Sequence, residues 1–321
     1  MKIKVSVPAT SANIGSGFDA LGLAVTLYNT VTFEESEVLD ISSADGTRIP
    51  RGESNLVYRS AKGLFEKVGK QIPPLKITQT NPIPMARGLG SSSACIIAGL
   101  LGANRMLGDV LNTQELLTLA TSIEGHPDNV APAVYGGLTM SWDMETAEGV
   151  GSVPIPGGEP MHNGFHTINY RVADDLTAAV FVPDYELSTE KARQALPTEI
   201  PFKDAVHNVS RVSLLPAAMN PAMLASGSRQ NANALLFAAT QDRLHQPYRA
   251  SLMEPSWALI EKMRSHGFAS TVSGAGPCVL VLHHGDAHEE LEQIAAEELA
   301  SGHWRVLHLA VDTKGVQVER A

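Results

Sequence analysis

Residues 91–107 read Ser-Ser-Ser-Ala-Cys-Ile-Ile-Ala-Gly-Leu-Leu-Gly-Ala-Asn-Arg-Met-Leu, and no other stretch limits the fold of this chain as much. On a helix from Ser91 to about Leu107, Ala94, Ile96, Ile97, Ala98, Leu100, Leu101 and Ala103 cover every face. A helix with no polar face has to be central and enclosed. Its start is equally constrained. The preceding segment, Pro84-Met85-Ala86-Arg87-Gly88-Leu89-Gly90, ends in a Gly-x-Gly turn that feeds a run of serines. Such a start leaves backbone N–H groups without partners and points the positive end of the helix dipole at the same place. The result is an anion cradle suited to phosphates. It matches neither common phosphate loop: Gly69-Lys70 is followed by Gln71 where Walker A needs Ser or Thr, and Ser93 stands where the dinucleotide fingerprint needs a third glycine.

At 321 residues the chain exceeds the usual size of one core, so two domains are expected. With 44% hydrophobic and 18% charged residues it reads as an ordinary soluble globular protein. A formal charge of −10 argues against a nucleic-acid or anionic-membrane partner, because either needs a basic face. Cys95 and Cys278 each sit in an apolar run without a Cys or His at metal-ligand spacing, so both read as buried small hydrophobes in a reducing compartment. The start, Met1-Lys-Ile-Lys-Val5, lacks an apolar signal core, and no apolar run reaches spanning length. A cytoplasmic location follows as the expectation.

Ile3, Val5 and Val7 alternate with polar residues, as do Leu27, Val31 and Phe33, which predicts strands. Between them lies the small, polar, glycine-bearing segment Pro8–Asp19, a loop with nothing to fill a core. A strand over Leu75–Thr80 precedes the central helix. Asn112-x-x-Glu115 resembles a capping box opening a further helix that ends at Gly125. Gly149–Gly164 is rich in Gly and Pro and is the expected boundary, giving domains 1–160 and 161–321. The second half reads as a strand at Thr177–Pro183, helices at about 204–219, 231–244 and 256–266, a strand at Val279–His283, a helix stopped by Gly302 and a last strand at Trp304–Val311. Interleaved strands and helices mean α+β organisation in both halves.

Glu124 falls in the last turn of its helix, where the dipole disfavours an anion by up to ~1 kcal/mol. A nearby cation reverses that sign, either a divalent metal or an ordinary Lys or Arg partner. A serine hydroxyl with one carboxylate suits Mg²⁺ on phosphates, which takes few protein oxygens and keeps its waters. Ser273-Gly274-Ala275-Gly276-Pro277 lies between two apolar segments, where glycines allow close backbone approach. Arg193 and Arg249 offer forked bonds to carboxylates or phosphates.

Three glycine-bearing loops in this order, with Pro-x-x-x-Gly-Leu-Gly-Ser-Ser-Ser-Ala in the middle, resemble the GHMP kinase superfamily over essentially the whole chain. Within it, Pro8–Asp19 with Ala-Leu-Gly22, Glu124-Gly-His-Pro-Asp-Asn-Val-Ala-Pro132, Leu187–Arg193 and Pro247-Tyr-Arg249 are similar to the homoserine kinases. The resemblance implies ATP-dependent phosphorylation of the L-homoserine side-chain hydroxyl, in threonine biosynthesis. It implies an N-terminal domain like ribosomal protein S5 domain 2, a ferredoxin-like C-terminal domain, and a homodimer as the assembly to test. By the same resemblance Pro84–Ala94, with Gly274 and Gly276 beside it, wraps the ATP phosphates, and Ser92 and Glu124 hold Mg²⁺. Three serines stand where many relatives have two followed by Ala, so Ser93 stays open as the alternative ligand. Asn55 and Val57 fall where relatives contact adenine. Asn13 and Asp19 are implied to meet the substrate hydroxyl and ammonium, and Arg193 and Arg249 its carboxylate, with Thr189 and His126 nearby. Another kinase of the superfamily, such as a mevalonate kinase, and a non-catalytic sensor are the competing readings. The identity of any general base stays open.

Overall fold

A computed structural model describes residues 2–225 and 231–320. The first half is built on a long antiparallel pair, β1 (Lys2–Ala12) and β2 (Leu21–Glu35), in register Val5 to Val31. Their inward residues are the alternating ones expected from the sequence. The register shifts between Pro8 and Ala9, where proline has no N–H to give the ladder. β3 (Asp40–Ser43) and β4 (Leu75–Thr80) pair in parallel and are joined through α1 (Leu56–Lys67). α2 (Ser91–Leu107) packs against α1 and β1, with α3 (Thr113–Glu124) and α4 (Val130–Tyr135) beside it. It is enclosed as an all-apolar helix must be. The predicted capping box forms: the Asn112 side chain accepts from the Glu115 N–H, and the Glu115 carboxylate accepts from the Asn112 N–H.

The expected division at 160/161 is corrected by the sheets. β5 (Leu138–Met144) adds to the start of β2, and the chain then passes through the short β6 (Ser152–Val153) and β7 (Met161–His162). It returns along β5 as β8 (Gly164–Tyr170), with Leu138 opposite Tyr170. The Gly/Pro-rich stretch is therefore the far end of a hairpin. Gly and Pro mark a turn whether the chain leaves a sheet or folds back onto it. The sheets divide between Tyr170 and Leu176 instead.

The second half carries β9 (Leu176–Pro183), then α5 (Thr189–Gln194), α6 (Phe202–Val212), α7 (Leu215–Met219), α8 (Ala232–Ala239), α9 (Gln246–Arg249) and α10 (Glu254–Ser265). β10 (Ala269–Val272) and β11 (Val279–His284) follow, then α11 (His288–Ile294), α12 (Ala296–Ala300) and β12 (Trp304–Ala310). The strand order β10-β11-β9-β12 is all antiparallel and is that of a ferredoxin-like unit. A strand not anticipated from the sequence, β13 (Gln317–Arg320), returns to the first sheet and pairs with β1, Ile3 opposite Arg320.

Period-two alternation gives the second sheet two different duties. Ala178, Val180, Leu280 and Leu282 join the core of the first half, whereas Ala179, Phe181, Val279 and Val281 form a separate core with α10 and α11. The halves thus share the first of these two cores, and the second belongs to the second half alone. No helix among the described residues is long and apolar enough to cross a membrane.

Candidate active site

Backbone closure brings the three glycine-bearing loops together. The Thr10 N–H donates to the Leu89 carbonyl at 3.2 Å, the Gly274 N–H to Ala12 at 3.1 Å, and the Cys278 N–H to Arg87 at 3.2 Å. The Ser273 hydroxyl donates to the Gly88 carbonyl at 2.6 Å. Gly88 has φ +80°, and a Cβ built there would lie 2.0 Å from the Ser273 carbonyl oxygen. Gly90 has φ +68° and caps α2 without any side-chain hydrogen bond, so the first N–H groups of the helix stay open toward the cleft.

At this opening the Ser92 hydroxyl donates to Glu124 Oε2 at 2.9 Å and the Ser93 hydroxyl to Oε1 at 2.8 Å. Glu124 closes α3 and has no Lys, Arg or His partner within 4.0 Å among the described residues. Ser93 is fully buried and Ser92 is exposed, so only the latter hydroxyl faces solvent.

The opposite wall is cationic. Arg193 grips Asp19 through two bonds of 2.9 Å each, and that bonding, beside burial which opposes it, raises the guanidinium pKa. Arg249 is 2% exposed. It donates from Nε to the Ala192 carbonyl at 3.1 Å, meets His245 Nδ1 at 3.2 Å and lies over the Phe18 ring at 5.1 Å. Burial lowers its pKa, Asp19 pulling the other way, and it has no carboxylate partner of its own within 4.0 Å among the described residues. Below them His126 Nδ1 contacts Asp128 Oδ1 at 2.5 Å. Burial depresses the imidazole, but the Asp128 bond and charge together with Glu124 outweigh it, and the net shift is upward.

Two family models match the chain: GHMP kinases N terminal domain over residues 55–137 and GHMP kinases C terminal over residues 219–301. Among curated relatives, the homoserine kinase of Leifsonia xyli is 40% identical, covering 99% of this chain and 92% of its own length. That of Caldicellulosiruptor saccharolyticus is also 40% identical, over 98% and 96%. The chain belongs to the homoserine kinase family of GHMP kinases. The crystal structure of homoserine kinase from Cytophaga hutchinsonii superposes with a TM-score of 0.79 at 27% identity, covering 99% and 97% of the two chains. A mevalonate kinase structure, 12% identical at a TM-score of 0.65, shares the fold.

Most residues expected from the homoserine kinase resemblance line one cleft: Asn13, Asp19, Pro84, Ala86–Ser92, Glu124, His126, Thr189, Arg193, Arg249 and Gly274. Four of the expected residues also serve the fold. Asn13 is 4% exposed and clamps loops, its Oδ1 accepting from the Asp19 N–H and its Nδ2 donating to the Gly274 carbonyl. Asn55 caps α1, its Oδ1 accepting from the Tyr58 N–H and from Gln79, while Val57 is fully buried. Neither side chain reaches the cleft, because each is already spent on the fold. Arg87 lines the cleft, and its guanidinium donates to the carbonyls of Met85, Pro183 and Asp184 and to Glu186, stapling the loop to the end of β9. Met85 is exposed, and Ser93, Ala94 and Gly276 lie beneath the cleft wall.

The sequence reading missed Thr10 and Asn129, which bond each other at 2.8 Å beneath Gly90. It also missed His245, fully buried, whose Nε2 contacts the Gly15 carbonyl at 2.8 Å while its ring stacks on Phe18. No spacing signal marks the Thr10–Asn129 bond or the contacts of His245 with Gly15 and Phe18, which join residues more than a hundred apart.

Proposed function

We propose that this chain transfers the γ-phosphoryl group of ATP to the side-chain hydroxyl of L-homoserine, giving O-phospho-L-homoserine for threonine biosynthesis. One observation carries the reading: an open helix-start cradle and a pocket with two guanidiniums against one carboxylate share a single cleft. A homoserine zwitterion is a carboxylate, an ammonium and a hydroxyl. Arg249, buried without an acid of its own, receives the carboxylate with Arg193, and Asp19 receives the ammonium. Exchange of the Arg193–Asp19 pair for these ligand contacts costs little, because each charge trades one opposite partner for another. Asn13 lines the cleft and holds Asp19 and the Gly274 loop in place, and one of its two Nδ2 hydrogens remains for the substrate hydroxyl.

The cradle suits phosphates because the N–H groups at the start of α2 have no other acceptor. Magnesium fits the hard oxygens of Ser92 and Glu124, with Ser93 bracing the carboxylate from the buried side. When bound, it neutralises charge on the phosphate oxygens. The chain's own share is positional: the amides orient the phosphates, and the arginine pair orients the acceptor. Phosphoryl transfer asks chiefly for this. The mevalonate alternative lacks an ammonium, which leaves Asp19 without a ligand partner beside Arg193.

The test is ADP release from ATP and Mg²⁺ with L-homoserine, L-serine, mevalonate or no acceptor. Turnover with homoserine, abolished in Glu124→Ala and weakened in Arg193→Ala, is the expected result. Turnover with mevalonate alone overturns the amino-acid pocket, and ATP binding without any turnover overturns the kinase reading.

A further inference from the structure

We infer that the cleft between residues 240–246 and α10 is a second ligand site, for a small oxyanion, and that its occupancy is felt at the homoserine pocket. The cleft lies on the far side of the segment that carries His245 and leads into Arg249. Its central group is Arg264. Nη1 donates to the Thr240 hydroxyl at 3.2 Å and the Ser270 carbonyl at 2.9 Å, Nη2 donates to the Phe237 carbonyl at 2.7 Å, and the guanidinium sits 4.3 Å from the Phe237 ring centre. All these acceptors are neutral. No carboxylate lies within 4.0 Å of it among the described residues, and burial pulls its pKa down to about 10. A largely buried cation held only by neutral oxygens has spare attraction for an anion, and three bonds leave two of its five N–H groups for one.

Other groups on the wall point the same way. Ser270 is 1% exposed and its hydroxyl has no partner, and His207 Nε2 is likewise buried and unpartnered. Arg243 stands at the rim, bonded to Asp204 at 3.2 Å. Two acids also line the cleft, and each is bonded to N–H groups rather than to Arg264. Asp242 accepts from the N–H groups of Leu244, His245 and Gln246 and from Asn208, while Glu261 accepts from the Trp257 indole N–H. Carboxylates and phosphates share the required chemistry: a planar or trigonal face of oxygens for the guanidinium fork and an acceptor for the serine hydroxyl.

The route to the active site is short. Thr240, which Arg264 holds by its hydroxyl, presses its carbonyl against Gly15 so closely that a Cβ there would lie 2.1 Å from that oxygen. His245, in the same segment, bonds the Gly15 carbonyl through Nε2 and faces Arg249 through Nδ1. An anion that draws Arg264 from Thr240 therefore loosens the loop that ends at Asp19.

Trp257 lines the cleft and supplies a local signal. The full chain is titrated with sodium acetate and, separately, inorganic phosphate, at constant ionic strength with chloride as the balancing salt. The expected result is a saturable change in emission with one or both, absent in Trp257→Phe, with a midpoint at least fivefold higher in Arg243→Ala. KM for homoserine shifts over the same concentrations in the parent chain and not in Arg243→Ala. Acetate alone identifies a carboxylate site and phosphate alone a phosphate site. No saturable change, or one that Arg243→Ala leaves untouched, overturns the site; saturable binding without the KM shift overturns the coupling. Arg264→Lys serves as a second variant, and if it fails to fold the Arg243 result still decides. The binding arm needs no turnover, so its failure leaves the kinase reading standing.

Discussion

Gly88→Ala separates loop closure from mere backbone strain. The added Cβ would lie 2.0 Å from the Ser273 carbonyl oxygen, and real Cβ contacts essentially never fall below 3.0 Å, so the two loops must part by about 1 Å. Backbone is the obstacle on both sides, and no flexible side chain can yield. Parting by that distance stretches the 2.6 Å bond from the Ser273 hydroxyl to the Gly88 carbonyl beyond hydrogen-bonding range. The lost bond costs about 1 kcal/mol, and a non-glycine residue at φ +80° adds about 1–2 kcal/mol. Together they lower Tm by several degrees without unfolding a chain of ordinary stability. Activity should suffer more, because a misplacement of about 1 Å in a positioning element costs on the order of 100-fold in rate. The control is Gly69→Ala, at φ +71° with nothing within 4 Å, which carries the strain alone. Steady-state ADP release and thermal melts on both variants decide the matter. Gly88→Ala with kcat within threefold of the parent chain, or Gly69→Ala equally inactive, refutes the closure argument.

The serines divide in the same assay. Ser92→Ala should lower kcat at least tenfold and raise the Mg²⁺ requirement, whereas Ser93→Ala, fully buried, should chiefly cost stability, by about 1 kcal/mol, read as a lower Tm. Arg249→Lys loses the forked geometry and should raise homoserine KM about 10–100-fold with KM for ATP unchanged, as an initial-rate matrix would reveal. His126 has its folded pKa raised above 6.5, so its contribution to stability is fully present below about pH 6.5 and is lost as pH rises through the folded value. Melts of the parent chain and His126→Ala across pH 5–9 should therefore converge at the alkaline end; a gap that widens there would contradict the Asp128 pairing.

The parts of the fold most legible in the sequence were those whose physics is local. A helix apolar on every face announces a central position, as α2 has, and Asn112 with Glu115 announces a cap because both ends of that interaction lie within one turn. The β5–β8 hairpin was misjudged because Gly149–Gly164 gives the same turn signal as a linker. β13 escaped notice because four residues, Gln317–Arg320, carry too little pattern, and the strand exists through its pairing with β1 at the other end of the chain. The homoserine kinase resemblance pointed to Asp19, Glu124, Arg193 and Arg249, and all four line the one cleft. Structural partners were not foretold: Arg87 also staples its loop to β9, and Asn13 also clamps two loops. Such assignments depend on which carbonyl the fold brings nearest.

The backbone itself locates the site. Five non-glycine residues among those described have positive φ, and Asn13, Ile14, Asp19 and Ala86 belong to the two loops that wall the cleft, with only Asp109 elsewhere. Each such residue costs on the order of 1–3 kcal/mol and persists only where its surroundings over-determine it. Here the surroundings are identifiable. Ile14 is fully buried in the core shared by the two halves, Asn13 is bonded at both ends of its amide, and Ala86 receives the Leu187 N–H through its carbonyl at 3.2 Å. The strain is thus held by contacts from the second half of the chain on loops of the first. Neither half alone would keep Asp19 and the cradle in register, which gives a physical reason for a core that runs across both halves and for a C-terminal strand that comes back to pair with β1.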